Sequence, residues 1–335
     1  MKLGLLLPPA PKPGDHKWKL SRQIGINHAV AKLAPELTGD DPIWNMDSLL
    51  RSKARFEAAG FTISALEGDQ MDMNRIKLGL PGRDEDIARY CQMLENMGKA
   101  GIHLLCYNFM GAVGWFRTAV AVPVRGGAMA SAFRLADAET GPLPEFGEVS
   151  AEKVWENWTY FMDRVLPVAE KAGVVMAAHP DDPPIPAVRG IGRIFNSPDG
   201  FRRARDYARS PSNKITFCQS NFMLMGEPIE PLIREFAPNI AFVHFRDIKG
   251  TAEDFIETFH DDGPHDMVEL LRLYHEVGFD GLIRPDHVPN MEGEYAGSEG
   301  GALNLSTTVG YEIQGRLFAV GYIKGMAEAL GIRME

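Results

Sequence analysis

Four apolar, strand-like runs in the second half of the sequence each end on a side chain able to bind a metal ion. Residues 174–178 lead into His179, 215–217 into Cys218, 240–243 into His244 and 281–285 into Asp286. Two imidazoles, a thiolate and a carboxylate together suit a first-row divalent ion. Taken singly, each has a plainer explanation. His179 opens the rigid turn His179-Pro180-Asp181-Asp182-Pro183-Pro184, Cys218 reads as a small buried hydrophobe, His244 precedes the charged pair Arg246-Asp247 of a solvated turn, and Asp286 is a turn residue after Pro285. Four such ends in successive units favour one shared site, because the C-terminal ends of neighbouring strands in a parallel barrel converge on one rim.

Further chemistry-bearing residues lie close by. His260 and His265 fall in the tract His260-Asp261-Asp262-Gly263-Pro264-His265-Asp266-Met267, and His287 follows Asp286 directly. Asp-Gly-Pro is a turn sequence and Asp266 stands near a helix start, so His265 is expected on an exposed turn. His260 is the better candidate to contact a substrate or support the ligands. Arg246 and Arg284 read either as binders of a substrate carboxylate or as partners in structural ion pairs. Trp155 and Trp158 lie on an amphipathic stretch and read as packing, and Trp115 has a chemistry-free reading too.

These residues need a scaffold, and the rest of the pattern supplies one. With the four runs above, strand-like segments at 3–7, 27–31, 61–66 and 102–107 make eight. Helical periodicity predicts helices over 44–59, 84–100, 151–172, 198–208, 228–236, 266–277 and 311–330. Several end on the glycine that closes a helix before the next strand, as in Ala59-Gly60-Phe61 and Ala172-Gly173-Val174. Alternating strand and helix with this punctuation predicts a single (β/α)8 TIM barrel over residues 1–335. An open doubly wound sheet is disfavoured, since no Gly-rich dinucleotide loop follows the first strand. Two long stretches, 108–149 and 288–310, follow strands at the presumed active rim and are expected to be lids over a cleft.

Composition excludes several classes of function. With 45% hydrophobic and 24% charged residues the chain has ample material for a core. A formal charge of −10 without Lys/Arg clusters argues against nucleic acid as a partner. A compact anionic small molecule remains compatible, because a metal and a few arginines set the local field. Three cysteines at this length read as reduced thiols in a cytoplasmic protein rather than a disulfide framework. The apolar N-terminal run is too short for a signal peptide, and no stretch reaches the roughly 20 residues of a membrane span, so no membrane partner is expected. Self-association into a homo-oligomer is left open.

In order along the chain stand Ile76-Lys77-Leu78-Gly79-Leu80-Pro81-Gly82-Arg83-Asp84, Cys106-Tyr107-Asn108-Phe109-Met110 with Trp115 and Arg117-Thr118, and the His179 block. They are followed by His244-Phe245-Arg246, the tract 260–267, Arg284-Pro285-Asp286-His287, and Gly310-Tyr311 with Arg316, Gly321-Tyr322 and Gly325. Together these blocks resemble the mannonate dehydratases of the xylose-isomerase-like barrel superfamily. The resemblance implies a lyase that removes water from D-mannonate to give 2-dehydro-3-deoxy-D-gluconate in hexuronate breakdown, using a divalent metal, Mn²⁺ or Fe²⁺. Thiolate and imidazole ligands by themselves would also suit Zn²⁺. The family's metal ligands map onto His179, Cys218, His244 and Asp286, and its catalytic residues onto His287 and Tyr311. Arg246, Arg284 and His260 are then candidates for substrate binding.

The sequence departs from the family pattern at Gly114, Ala119, Asp247, Ile256 and Val288, among other positions. If these line the cleft, another aldonate should be turned over better than D-mannonate. The main rival activity is a metal-dependent sugar isomerase or epimerase on the same barrel. A phosphodiesterase is disfavoured by the acidic charge and the single-cysteine ligand set, and a non-catalytic metal-binding protein would take up metal without turnover.

Overall fold

A computed structural model describes residues 1–11, 16–138, 145–294 and 310–335. Eight parallel strands close into a barrel: β1 (Lys2–Leu7), β2 (His28–Ala31), β3 (Thr62–Glu67), β4 (Leu104–Tyr107), β5 (Val175–Ala178), β6 (Asn213–Cys218), β7 (Ile240–Phe245) and β8 (Leu282–Pro285). Each strand pairs with its neighbours in sequence, and β1 pairs with β8 to complete the ring. All eight expected strands are present. The helices differ from expectation by a residue or two at their ends.

Local chemistry explains the punctuation. The long helix Ala151–Ala172 starts at Ser150, whose side chain accepts from the Lys153 amide, and stops at Gly173 in the left-handed region at φ 66°. Its inner face buries Trp155, Trp158, Phe161 and Val165 against the barrel, as the amphipathic reading required. Inside the ring, Val30, Ala65, Cys106, Phe242 and Leu282 form a small apolar plug. The plug fills the barrel below the rim, so the rim is the place left for chemistry.

The stretch 108–149, expected as a lid, carries regular structure. Strands Ala119–Pro123 and Met129–Arg134 turn on Gly126 and Gly127, both at positive φ, and join the hairpin Ile248–Thr251 and Asp254–Glu257 in a four-stranded antiparallel sheet. Phe133, Phe255, Ile248 and Val188 give this sheet its own core. The second expected lid, 288–310, falls mostly on 295–309, outside the described residues, as does the 139–144 part of the first. Its described beginning docks on the sheet through reciprocal backbone bonds between Met129 and Asn290, at 2.9 and 2.8 Å. Short helices at Lys17–Gln23, Pro35–Thr38, Asn74–Leu78 and Gln219–Leu224 are additions that the sequence pattern did not reveal.

Candidate metal and active site

Strand register brings the expected ligands together. Cys218, last in β6, lies opposite His244 in β7, and His244 lies opposite Arg284 in β8. His179 follows β5 by one residue. Donor atoms of His179, Cys218 and His244 lie within 4.8 Å of one another. Asp286 is outside that group of three, but its Oδ2 stands 3.8 Å from Cys218 Sγ and 3.9 Å from His244 Nδ1.

The donors are prepared for a cation. His179 Nδ1 is 2.6 Å from the Pro180 carbonyl, a contact that holds its proton there and leaves the Nε2 lone pair available. His244 is fully buried, with Glu67 Oε2 3.4 Å from its Nε2 and Arg284 Nη2 3.4 Å from its Nδ1. Two imidazoles and a thiol within 4.8 Å of one another, with the Asp286 carboxylate 3.8 Å from the thiol, fit a divalent first-row ion. A second group, Glu67, Cys106 and His244, shares His244. It is less suited, because burial pushes the Cys106 thiol well up.

Behind these donors runs a buried ladder of alternating charge. Arg117 bonds Asp182 and Glu257, and Arg246 bonds Glu257, Asp182 (3.3 Å) and Asp286 (2.7 Å). Arg284 bonds Asp286 at 2.8 Å and Glu67 at 2.5 Å. Burial alone would raise the carboxyl groups, but the guanidiniums outweigh it. Glu67 is held at about 2, with Arg284 the main opposing influence, and Asp286 lies well below the usual range through His287, Arg284 and Arg246. All four carboxylates therefore stay ionised.

Beside the donors opens a cavity of about 300 Å³, at the lower end of the usual size for small-ligand sites. Its wall includes His179, Asp286, His287, Tyr311 and Trp115, together with Lys17, Lys32 and Arg316. Tyr311 donates to Asp286 Oδ1 at 2.8 Å, and burial together with the Asp286 charge pushes its hydroxyl well up. His287 sits edge-on to Tyr311 and Trp115, at ring separations of 5.0 and 5.5 Å.

Three residues expected at the substrate lie elsewhere. Arg246 and Arg284 are fully buried, spend their guanidiniums on the carboxylates of the ladder and are absent from the cavity wall, which is the ion-pair alternative of the two readings. His260 is buried behind β7 with Nε2 on the Phe245 carbonyl at 2.7 Å. His265 is half-buried rather than exposed, bound to Asp247 at 2.6 Å. None of Gly114, Ala119, Asp247, Ile256 and Val288 lines the cavity. Asp247 pins the Gly263 turn, Ile256 pairs with Ala132 in the antiparallel sheet, and Val288 packs on Gly315.

Sequence reasoning missed Glu67, Asp182, Glu257, Arg117 and the three cavity cations. Glu67 had a usable signal, since it terminates β3 just as the chosen ligands terminate theirs. Asp182, Arg117 and Arg316 stood in quoted motifs without a role assigned to them, whereas Glu257 lies on a hairpin outside the barrel and had no signal.

The D-mannonate dehydratase (UxuA) family model matches residues 17–141 and 135–334. Mannonate dehydratase 1 of Bacillus licheniformis is 32% identical over 344 residues, covering 92% of this chain and 90% of that protein. The crystal structure of mannonate dehydratase from Streptococcus suis serotype 2 superposes with a TM-score of 0.85 at 28% identity, covering 98% of this chain and 93% of the other. D-psicose 3-epimerase from Clostridium cellulolyticum H10, at TM-score 0.62 and 14% identity over 98% of this chain and 99% of its own, shares the fold.

Proposed function

Because the chain belongs to the D-mannonate dehydratase family, we propose that it is a metal-dependent hydro-lyase converting D-mannonate to 2-dehydro-3-deoxy-D-gluconate and water. The observation that carries this reading is the meeting of His179, Cys218 and His244, flanked by Asp286, beside a cavity lined by His287 and Tyr311. His179, Cys218, His244 and Asp286 would hold the ion, Mn²⁺ or Fe²⁺, with Zn²⁺ compatible with the same donors. A bound divalent ion supplies Lewis-acid stabilisation for the negative charge that develops next to the substrate carboxylate.

The chain's own residues supply the proton transfers. Dehydration removes the proton on the carbon beside the carboxylate and expels hydroxide from the next carbon, so it needs a base and an acid on the cavity wall. His287 and Tyr311 stand on that wall next to Asp286 and outside the ligand set. Their rings, set edge to face at 5.0 Å, present two proton-bearing groups to one small volume. Arg246 and Arg284 act at one remove, fixing Asp286 from behind; the cations of the cavity wall are paired as well, Lys17 with Glu312 at 3.0 Å, Lys32 with Glu36 at 3.1 Å and Arg316 with the Leu6 and Glu312 carbonyls. Reduced cysteines and a sugar-acid substrate fit a cytoplasmic setting, and no described helix is long and apolar enough to cross a membrane.

A panel of hexonates and pentonates incubated with the Mn²⁺-loaded protein, read by product mass, tests the activity. Loss of water from D-mannonate ahead of the other acids is expected, since the departures from the family pattern lie away from the cavity. Turnover with unchanged mass would move the protein to the isomerase or epimerase class, and metal uptake with no turnover of any acid would reject catalysis on this substrate class.

A further inference from the structure

The sheet outside the barrel sends one side chain into the active site. Glu257, the last residue of the strand Asp254–Glu257, is fully buried, and its Oε1 lies 3.0 Å from His287 Nδ1. Two guanidiniums anchor the carboxylate: Arg117 on Oε1 at 2.6 Å and Arg246 on Oε2. Burial works against ionisation here, but two guanidiniums bound directly to the carboxylate neutralise it as an anion. An ionised carboxylate only accepts hydrogen bonds. The proton in the Glu257–His287 contact therefore belongs to the imidazole.

We propose that Glu257 is a positioning residue that holds His287 with its proton on Nδ1, so that Nε2 is the base of the dehydration and Tyr311 the acid. The inference rests on the reading of His287 as a proton-transfer group given above. The surroundings agree with a fixed ring: Trp115 and Tyr311 pack edge-on against the imidazole, and Arg117, which holds Glu257, also lies over Trp115 at 4.6 Å. The two hairpins of the antiparallel sheet supply this brace, Glu257 from one and the Trp115–Arg117 segment from the lead-in to the other. In the step itself, His287 Nε2 takes the proton from the carbon beside the carboxylate. The electron pair of that C–H bond forms the carbon–carbon double bond, and the C–O bond of the next carbon breaks with its pair on oxygen. The departing oxygen takes the Tyr311 proton and leaves as water. The enol then becomes the 2-keto acid by moving a proton from oxygen to carbon, and the His287 proton returns to Tyr311. Through these transfers Nδ1 keeps its proton and donates it to Glu257 Oε1, so the imidazole cannot present the wrong nitrogen.

The test reads the tautomer directly. Long-range ¹H–¹⁵N correlation spectra of histidine-labelled protein loaded with diamagnetic Zn²⁺, with the His287 signals assigned by His287→Asn, should show the proton on Nδ1 and a bare Nε2. A proton on Nε2 in the unaltered protein overturns the proposal. Glu257→Gln should keep metal content and KM while kcat falls about 10²–10⁴-fold, with the His287 signals moving toward the other tautomer. Full kcat with an unchanged tautomer in Glu257→Gln, alongside an inactive His287→Asn, sinks the positioning role alone. An active His287→Asn sinks the proton-transfer reading on which it rests. If Glu257→Gln does not fold, the wild-type tautomer still decides.

Discussion

Arg246→Met cuts the centre of the buried charge ladder. Arg117, Arg246 and Arg284 face Glu67, Asp182, Glu257 and Asp286, three positive charges against four negative, and Arg246 alone bonds three of the carboxylates. Methionine keeps most of the volume but leaves two guanidiniums for four carboxylates. Removing one partner from a buried ion pair costs about 3–5 kcal/mol, because the charge left behind is unsolvated. With about 2.1 cal/mol/K of unfolding entropy per residue, a chain of 335 residues has about 0.7 kcal/mol/K at its midpoint, so the expected fall in Tm is about 4–7 °C. Calorimetry on Mn²⁺-loaded and EDTA-treated protein reads it. The loss should be larger in the EDTA-treated sample, because a divalent ion beside Asp286 replaces part of the missing positive charge. A fall below about 1 °C in both samples would refute the view that the ladder is held by mutual neutralisation, and an equal fall in both would separate it from the metal site.

Cys218→Ala should abolish stoichiometric Mn²⁺ retention, measured by mass spectrometry of the desalted protein, while circular dichroism stays native; full metal content would remove the thiolate from the ligand set. Tyr311→Phe should keep fold and metal and lose about 10²–10⁴-fold in kcat, and near-normal turnover would exclude it as the acid. Burial lowers His260 to about 4 from its ordinary 6.5, so the unfolded chain binds more protons between those values. Its contribution, about 3 kcal/mol, is fully present above pH 6.5 and is lost as the pH falls to 4. Urea denaturation across that window should show the slope, and His260→Gln should flatten it. The depressed Glu67 carboxyl loses its contribution lower, from the ordinary glutamate range down to about 2, and does not mask the effect.

The barrel was legible because its information is local. Apolar runs of strand length, amphipathic stretches and glycines such as Gly173 at helix ends each act over a few residues, and eight strands pairing in sequence order need nothing else to close a ring. That donor side chains at the strand ends would meet was legible for the same reason, since a parallel barrel gathers its strand ends by geometry alone. The antiparallel sheet was hidden because its two hairpins are separated by more than a hundred residues, and a short strand in a Gly-rich stretch looks like a loop until its partner is present. The partners of the buried arginines were hidden more deeply. Arg284 meets Glu67 across 217 positions, and Arg117 meets Glu257 across 140. A guanidinium reads alike in sequence whether it will face a substrate or a carboxylate of its own chain. Sequence alone therefore determined the barrel and the donors on its rim, while only the tertiary structure decided that Arg246 and Arg284 brace Asp286 and that Glu257 reaches His287, because the pairing of buried charges depends on distances that only the closed fold creates.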